Sequence, residues 1–232
     1  VIDAEEGISV ADSLSFESVQ LFTDRASQTL LPFALTDANV GAVVRICRHL
    51  DGIPLAIEIA AAQVRTLPIE AIAERLGQRF AWLNRQTVDT IPRQRTLHTL
   101  IDWSFGLLSA PERKIFCRLA VFAGGWTLEA AEAVSDPGEP CAEMLASLVD
   151  HSLVIFGNDS GHRRYSMHET IRQFAQTQLH GSNLEMDALE RHGRYYANLV
   201  SNAADNPLKQ NLSTRLDTLK GDHDNLGRTF EW

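Results

Sequence analysis

A proline at the mouth of an apolar run constrains this chain more than any other feature: Leu50-Asp-Gly-Ile-Pro-Leu-Ala-Ile-Glu-Ile59. Ahead of it, Val40, Val43, Val44, Cys47 and Leu50 recur at the three-and-four spacing of a helix that faces a core. Gly52 is placed to cap the end of that helix. Pro54 stands in the first turn of the next one, where its missing N–H would have had no intrahelical partner. From Pro54 to Leu67 the run is apolar on nearly every side, through Leu55, Ala56, Ile57, Ile59, Ala60, Ala61, Ala62 and Val64, and so reads as a buried central helix. On the residues alone, Gly52-Ile53-Pro54-Leu55 has two readings. It is a tight corner between helices, or it is a rigid apolar wall of Ile53, Pro54 and Leu55 on which a planar ring such as adenine could stack.

The rest of the chain is placed around this corner. Residues 1–14 are acidic and without clear period, and read as a linker. A helix from Ser15 carries Phe16, Val19 and Phe22. Pro68 to Leu76 supplies another with Ile69, Ile72 and Leu76 inward, so that residues 15–83 form a compact helical domain. The polar stretch 84–94, with Pro92, reads as a second linker. From 95 to 181 the order is helices, then a hairpin. Leu97, Leu100, Ile101, Phe105 and Leu108 mark the first helix, and Ser109-Ala-Pro-Glu112 has the form of a capping box opening the next. Gly124-Gly125 breaks that helix, Thr127 caps a short one to Val134, and Pro140–His151 is a further helix. Strands are expected at Ser152–Phe156 and Arg164–Met167 around the loop Gly157–His162. Helices followed by a β-hairpin are the order of a winged helix. Beyond it, residues 182–232 read as two amphipathic helices, Ala188–Ala204 and Arg215–Trp232.

Two strings carry a resemblance. Asp51-Gly-Ile-Pro-Leu-Ala-Ile-Glu58 is similar to the GLPLA motif of the STAND class of signalling ATPases, which includes the NB-ARC switches and many bacterial transcription regulators, among them LuxR- and AfsR/SARP-type proteins. Met167-His168-Glu169 resembles the MHD motif of the same class, with glutamate where aspartate is usual. Arg95-Thr-Leu-His-Thr-Leu-Ile-Asp-Trp-Ser-Phe105 and Phe116-Cys-Arg-Leu-Ala-Val-Phe-Ala-Gly-Gly-Trp-Thr-Leu-Glu-Ala-Ala-Glu132 also resemble the bacterial members, as does Met167-His-Glu-Thr-Ile-Arg-Gln-Phe-Ala175; together the strings cover most of residues 15–180. The resemblance implies an ARC-like helical bundle, a winged helix with its hairpin, and then the first helices of a TPR-like repeat, suggested by His223-Asp-Asn-Leu226. It also implies ADP or ATP as ligand, with Mg2+ in the full-length protein alone. Gly52, Ile53, Pro54 and Leu55 would lie against the nucleotide, and Met167, His168 and Glu169 would lie at its phosphates. Without the resemblance, His168 reads first as the cap of the helix that it precedes, ahead of a phosphate donor.

Several classes are disfavoured. The lysines, Lys114, Lys209 and Lys220, follow no glycine, so no phosphate-cradling G-x-x-x-x-G-K-[ST] loop exists and ATP hydrolysis by this chain alone is not expected. No catalytic constellation or metal-ligand spacing is present, and the three cysteines, Cys47, Cys117 and Cys141, are widely spaced as in a reducing compartment. No apolar run is long enough for a membrane span. The net charge of −9 disfavours nucleic acid. The helix Pro140–His151, equivalent to a recognition helix, offers Glu143 and Asp150 but neither Lys nor Arg, and only His162-Arg163-Arg164 in the wing is basic. The expectation is therefore a cytoplasmic, non-enzymatic regulatory portion of a longer STAND-type transcription regulator. Its partners would be an upstream nucleotide-binding domain, a downstream repeat sensor and other proteins, with no direct DNA contact. A winged-helix DNA-binding module and a protein-interaction scaffold without nucleotide sensing are the alternatives.

Overall fold

The computed structural model describes residues 9–29, 33–83, 92–159, 162–205 and 221–230. The described residues divide between Leu107 and Leu108 into two compact units, with residues 150–152 grouped with the first.

The first unit is all helical. It comprises α1 (Val10–Ser13), α2 (Glu17–Thr29), α3 (Val40–His49), α4 (Pro54–Ala62), α5 (Ile69–Leu83) and α6 (Pro92–Leu107), with a 3-10 turn at Gln63–Arg65 continuing α4. Within the expected linker 1–14, α1 is a short helix capped by Ser9, whose hydroxyl accepts from Asp12 N at 3.1 Å; residues 1–8 lie outside the described residues. At the centre is α4. Ala56, Ile57, Ile59, Ala60 and Ala61 are all 0% exposed, as the all-round apolar run requires. α2 and α6 pack on α4, and α3 packs on α5.

The placement of α6 differs from the expectation that the second domain starts at residue 95. α6 begins at Pro92 and packs with the first unit. α6 buries Leu100, Ile101 and Trp103, and a polar pair is enclosed with them: Gln63 Nε2 on the turn after α4 donates to Ser104 Oγ at 3.3 Å, and both residues are 0% exposed. Arg79 on α5 adds an ion pair to Asp102 at 3.0 Å. The expected linker 84–94 is thus helical from Pro92, and residues 84–91 lie outside the described residues.

The second unit opens with α7 (Ala110–Arg118), started by the expected capping box: Ser109 N donates to Glu112 Oε2 at 2.7 Å. A 3-10 turn at Leu119–Val121 precedes the Gly124-Gly125 break. Thr127 caps α8 (Leu128–Val134) by accepting from Ala130 N at 3.3 Å. α9 (Cys141–Asp150) follows, then an antiparallel hairpin of β1 (Ile155–Asp159) and β2 (His162–Ser166) in the register Ile155↔Ser166 to Asp159↔His162. Trp126 pairs with Tyr165 through two backbone bonds of 2.8 Å, adding a third short rung to the hairpin. α10 (Glu169–Leu179), α11 (Glu185–Asp205) and α12 (His223–Phe230) complete the unit.

The first strand sits three residues later than the sequence suggests, and the second begins two residues earlier. Ser152 takes φ 56°, and Leu153 N and Val154 N both donate back to Leu148 O at 3.0 and 3.2 Å. Leu153 and Val154 therefore plug the core at the end of α9 instead of starting a strand. Pairing extends instead into the segment expected to be loop, so that Gly157, Asn158, Asp159 and His162 all lie in the ladder. A short apolar run fits a strand and a helix-terminating plug equally well, which is why the two are not distinguished by pattern.

Candidate functional site

At the corner, the turn is made by two consecutive left-handed residues, Asp51 at φ 51° and Gly52 at φ 67°. Ile53 N donates to Leu50 O at 3.0 Å, and Pro54 takes the first position of α4 with Ile53 as its cap. Glycine is the residue for which such a φ carries no Cβ penalty. Pro54 is exposed, and Ile53 and Leu55 are half-buried beside it. The segment is thus a tight corner between α3 and α4, with Pro54 at the surface of the first unit.

Met167, His168 and Glu169 lie in the second unit, where β2 runs into α10. His168 occupies the N-cap position of α10, where the cap reading puts it, with extended backbone, and makes no capping hydrogen bond through its ring. Its side chain is exposed and Met167 is half-buried. Glu169 turns along its own helix. Its two oxygens accept from Arg172 Nε and Nη2, each at 2.8 Å, and Gln173 Nε2 adds a bond at 2.9 Å. The Arg172 hydrogen bond holds the Glu169 carboxyl below the usual carboxylate range. Glu169 therefore supports the start of α10, while the His168 ring is left facing outward. The corner belongs to the first unit and the imidazole to the second.

The surface that a winged helix would turn to DNA is defined by α9 and the hairpin. The exposed side chains of α9 are Ala142, Glu143, Ala146 and Asp150, and the helix contains no lysine or arginine. In the wing, Arg163 is exposed, but Arg164 is not available: its side chain is 10% exposed and pairs with Asp222, itself 5% exposed, at 2.7 Å. Among the described residues, no group of three or more His, Cys, Asp or Glu is arranged to hold a metal ion.

The helix–helix–hairpin arrangement, with the Trp126 rung closing the small sheet, coincides with a family profile described as a winged helix-turn-helix domain, which matches residues 108–180. Residues 108–180 are a winged helix-turn-helix domain. The chain is also 41% identical over 228 residues to proteins of Mycobacterium tuberculosis and Mycobacterium bovis that carry the provisional name of HTH-type transcriptional regulator, a match covering 95% of this chain and 25% of theirs. An uncharacterised M. tuberculosis protein is 39% identical over 183 residues, covering 76% of this chain and 46% of that protein. The chain thus spans about a quarter of the length of the first relatives and just under half of the other.

Polar groups that the sequence did not single out lie in and beside the apolar core of the second unit. Arg118, 3% exposed, lies at the end of α7 and donates to Val134 O at 2.5 Å, pairing with Asp136 at 2.8 Å and Asp187 at 2.6 Å. Asp136 also receives Lys114, and Asp187 receives Arg191 Nε at 2.8 Å. Both carboxyls are held below the usual range, Asp136 first by its Lys114 hydrogen bond and Asp187 first by that of Arg191. His192, 3% exposed, lies edge-on to Phe122 with ring centroids 5.2 Å apart, and burial pushes its pKa down to about 4. Charges spaced by tens of residues carry no periodic signal, so nothing in the sequence marks them as partners.

Proposed function

We propose that this chain is the regulatory portion of a transcriptional regulator, and that its winged helix-turn-helix domain faces protein. Support for the regulator comes from the relatives' provisional name and from the winged-helix match. The observation that carries the protein-facing role is α9 itself, whose charged side chains are Glu143 and Asp150, the latter paired with Arg65, with no Lys or Arg, beside a wing whose Arg164 is bound internally. A DNA reader gains most of its affinity by neutralising phosphates with Lys and Arg, and reads base edges with Arg, Lys, Asn or Gln. α9 offers none of these side chains. Fluorescence anisotropy with duplex DNA at physiological salt tests this. Only weak, sequence-independent binding is expected, and tight sequence-selective binding overturns the proposal.

The other reading, direct DNA contact through the winged helix, is favoured by the family description itself and by the relatives' name. It predicts that Arg163→Ala weakens duplex binding uniformly across sequences and lowers its salt dependence, because Arg163 is the exposed arginine of the described wing residues.

The finer proposal is that the domain works within a cytoplasmic STAND-type switch that senses ADP or ATP. It rests on the motif resemblance, together with the exposed Pro54, the half-buried Ile53 and Leu55 beside it, and the outward His168 ring. Those residues suit a nucleotide: an apolar plane suits a base, and an imidazole N–H suits a phosphate oxygen. Bound nucleotide would supply the difference in affinity between two arrangements that a switch requires. Hydrolysis and Mg2+ binding would belong to the full-length protein, and α11 and α12 would open a TPR-like repeat. ADP titration of a protein extended to include a nucleotide-binding domain tests it. Binding should weaken in Pro54→Ala and His168→Ala, and unchanged affinity in both favours a scaffold without nucleotide sensing.

A further inference from the structure

One short stretch after the winged helix, Gly221–Asn225, reaches back to residues about a hundred positions earlier. Arg164 Nη2, on the wing, lies within hydrogen-bonding distance of three oxygens: Gly125 O at 2.5 Å, Gly221 O at 2.9 Å and Asp222 Oδ1 at 2.7 Å. Beside the Asp222 carboxylate, the slot that takes this guanidinium is walled by two glycines. A Cβ on Gly125 would lie 3.3 Å from Arg164 Nε and 3.1 Å from Tyr165 O, and one on Gly221 would lie 3.3 Å from Arg164 Nη1. Tyr196 of α11 donates its hydroxyl to the same Asp222 oxygen at 3.1 Å, and Tyr196 is 0% exposed.

Asn225, 0% exposed, supplies the second half of the grip. Its Oδ1 accepts from Ala123 N at 2.9 Å and its Nδ2 donates to Gly125 O at 2.9 Å. The N–H and C=O two residues apart, at the bend that leads into the Trp126 bridge, are thus bonded by one side chain. The opposite edge of this segment is taken by Tyr165 through Trp126. A single primary amide therefore pairs with both groups of this edge, and shares Gly125 O with Arg164.

We propose that Gly221–Asn225 is an internal ligand of the winged helix. By clasping Arg164 and the backbone of residues 123–125, it makes the wing and the helices α11 and α12 open and close as one unit. A force or partner that displaces α12 then frees the wing arginine and exposes the edge of the Ala123–Trp126 segment. The reverse also holds, so whatever moves the wing loosens α12. This coupling does not depend on whether the outer face of the domain meets protein or DNA.

Hydrogen–deuterium exchange on the whole chain reads the clasp directly. Asn225→Asp preserves shape but places an acceptor against Gly125 O and beside Asp222. The amides of residues 221–230, 123–126 and 163–166 should exchange at least ten-fold faster, with α4 unchanged. Arg164→Ala should give the same pattern, and the Arg164→Ala/Asp222→Ala pair should be no faster than either single variant, because each alone already breaks the clasp. Accelerated exchange confined to the site of substitution, acceleration spread over both units, or additive single-variant effects would each overturn the proposal. Should the variants fail to fold, the unmodified chain still decides. Amides of 221–230 and 163–166 should open in one step with the same urea dependence, and separate openings overturn the clasp.

Discussion

The two units solve the problem of holding helices together with different materials. In the first, α4 is a nearly pure hydrocarbon rod whose neighbours pack on it from several sides, and the one buried polar contact noted above is the neutral Gln63–Ser104 pair. In the second, the helices are fastened by buried charge and rings: Arg118 joins α7 to the turn after α8 and to α11, Arg164 joins the wing to Asp222, and His192 is pressed on Phe122. Apolar packing does not titrate, whereas charged contacts do. The second unit adds such contacts to an apolar core of its own, so more of its stability is open to pH.

Truncating the rod should have the largest effect. Ile57→Ala or Ile59→Ala at these fully buried sites should lower the stability of the first unit by about 2–5 kcal/mol in urea unfolding and leave exchange in the second unit unchanged. Equal losses in both units would break the distinction drawn between them. Acid should do the opposite. His192 has a folded pKa lowered to about 4, so the unfolded chain takes up its proton first as pH falls. The stability that it contributes is present above about pH 6.5 and is lost as pH falls toward the folded value, by roughly 3 kcal/mol at most. Unfolding of the second unit followed from pH 7.5 to 4.5 should show this loss, and His192→Phe should flatten it. Asp136 and Asp187, both lowered, should add a further loss as pH drops through the ordinary carboxylate range and below it.

Smaller changes sharpen the comparison at the candidate site. Arg118→Met should cost about 1–3 kcal/mol by stranding Val134 O and removing a cation from Asp136 and Asp187, which keep Lys114 and Arg191. Pro54→Ala should change stability by less than about 1 kcal/mol, since it acts mainly on the unfolded chain. Any larger effect on nucleotide affinity would then report contact and not folding. Glu169→Asp shortens the reach to Arg172 at an exposed position, and thermal unfolding should register no more than about 0.5 kcal/mol.

Much of the architecture is legible before any coordinates. The capping box at Ser109, the cap at Thr127, the Gly52 turn and Pro54 at the first helical position are each fixed by neighbours within four residues, and the structure has all of them where the spacing puts them. The buried α4 follows from an apolar run too broad for a surface helix. Less legible were the end of the first unit and the start of the hairpin. α6 packs on α4 and encloses Gln63 and Ser104, a pair 41 positions apart, and Leu153 and Val154 form a plug because the end of α9 needs its carbonyl at Leu148 satisfied. At the candidate site, the motifs marked the corner and the imidazole. The exposure of both, the absence of a His168 cap bond and the use of Glu169 by Arg172 come from the backbone's path.

The sequence by itself determined the helices, their caps and the order that makes a winged helix, because these are set by period and by hydrogen bonds between near neighbours. The tertiary structure alone decided which charges meet. Arg164 looks like one of a basic trio on a wing until Asp222, 58 positions later, takes it inward. A guanidinium is drawn to the carboxylate that reaches it in space, and separation along the chain leaves no trace of that choice.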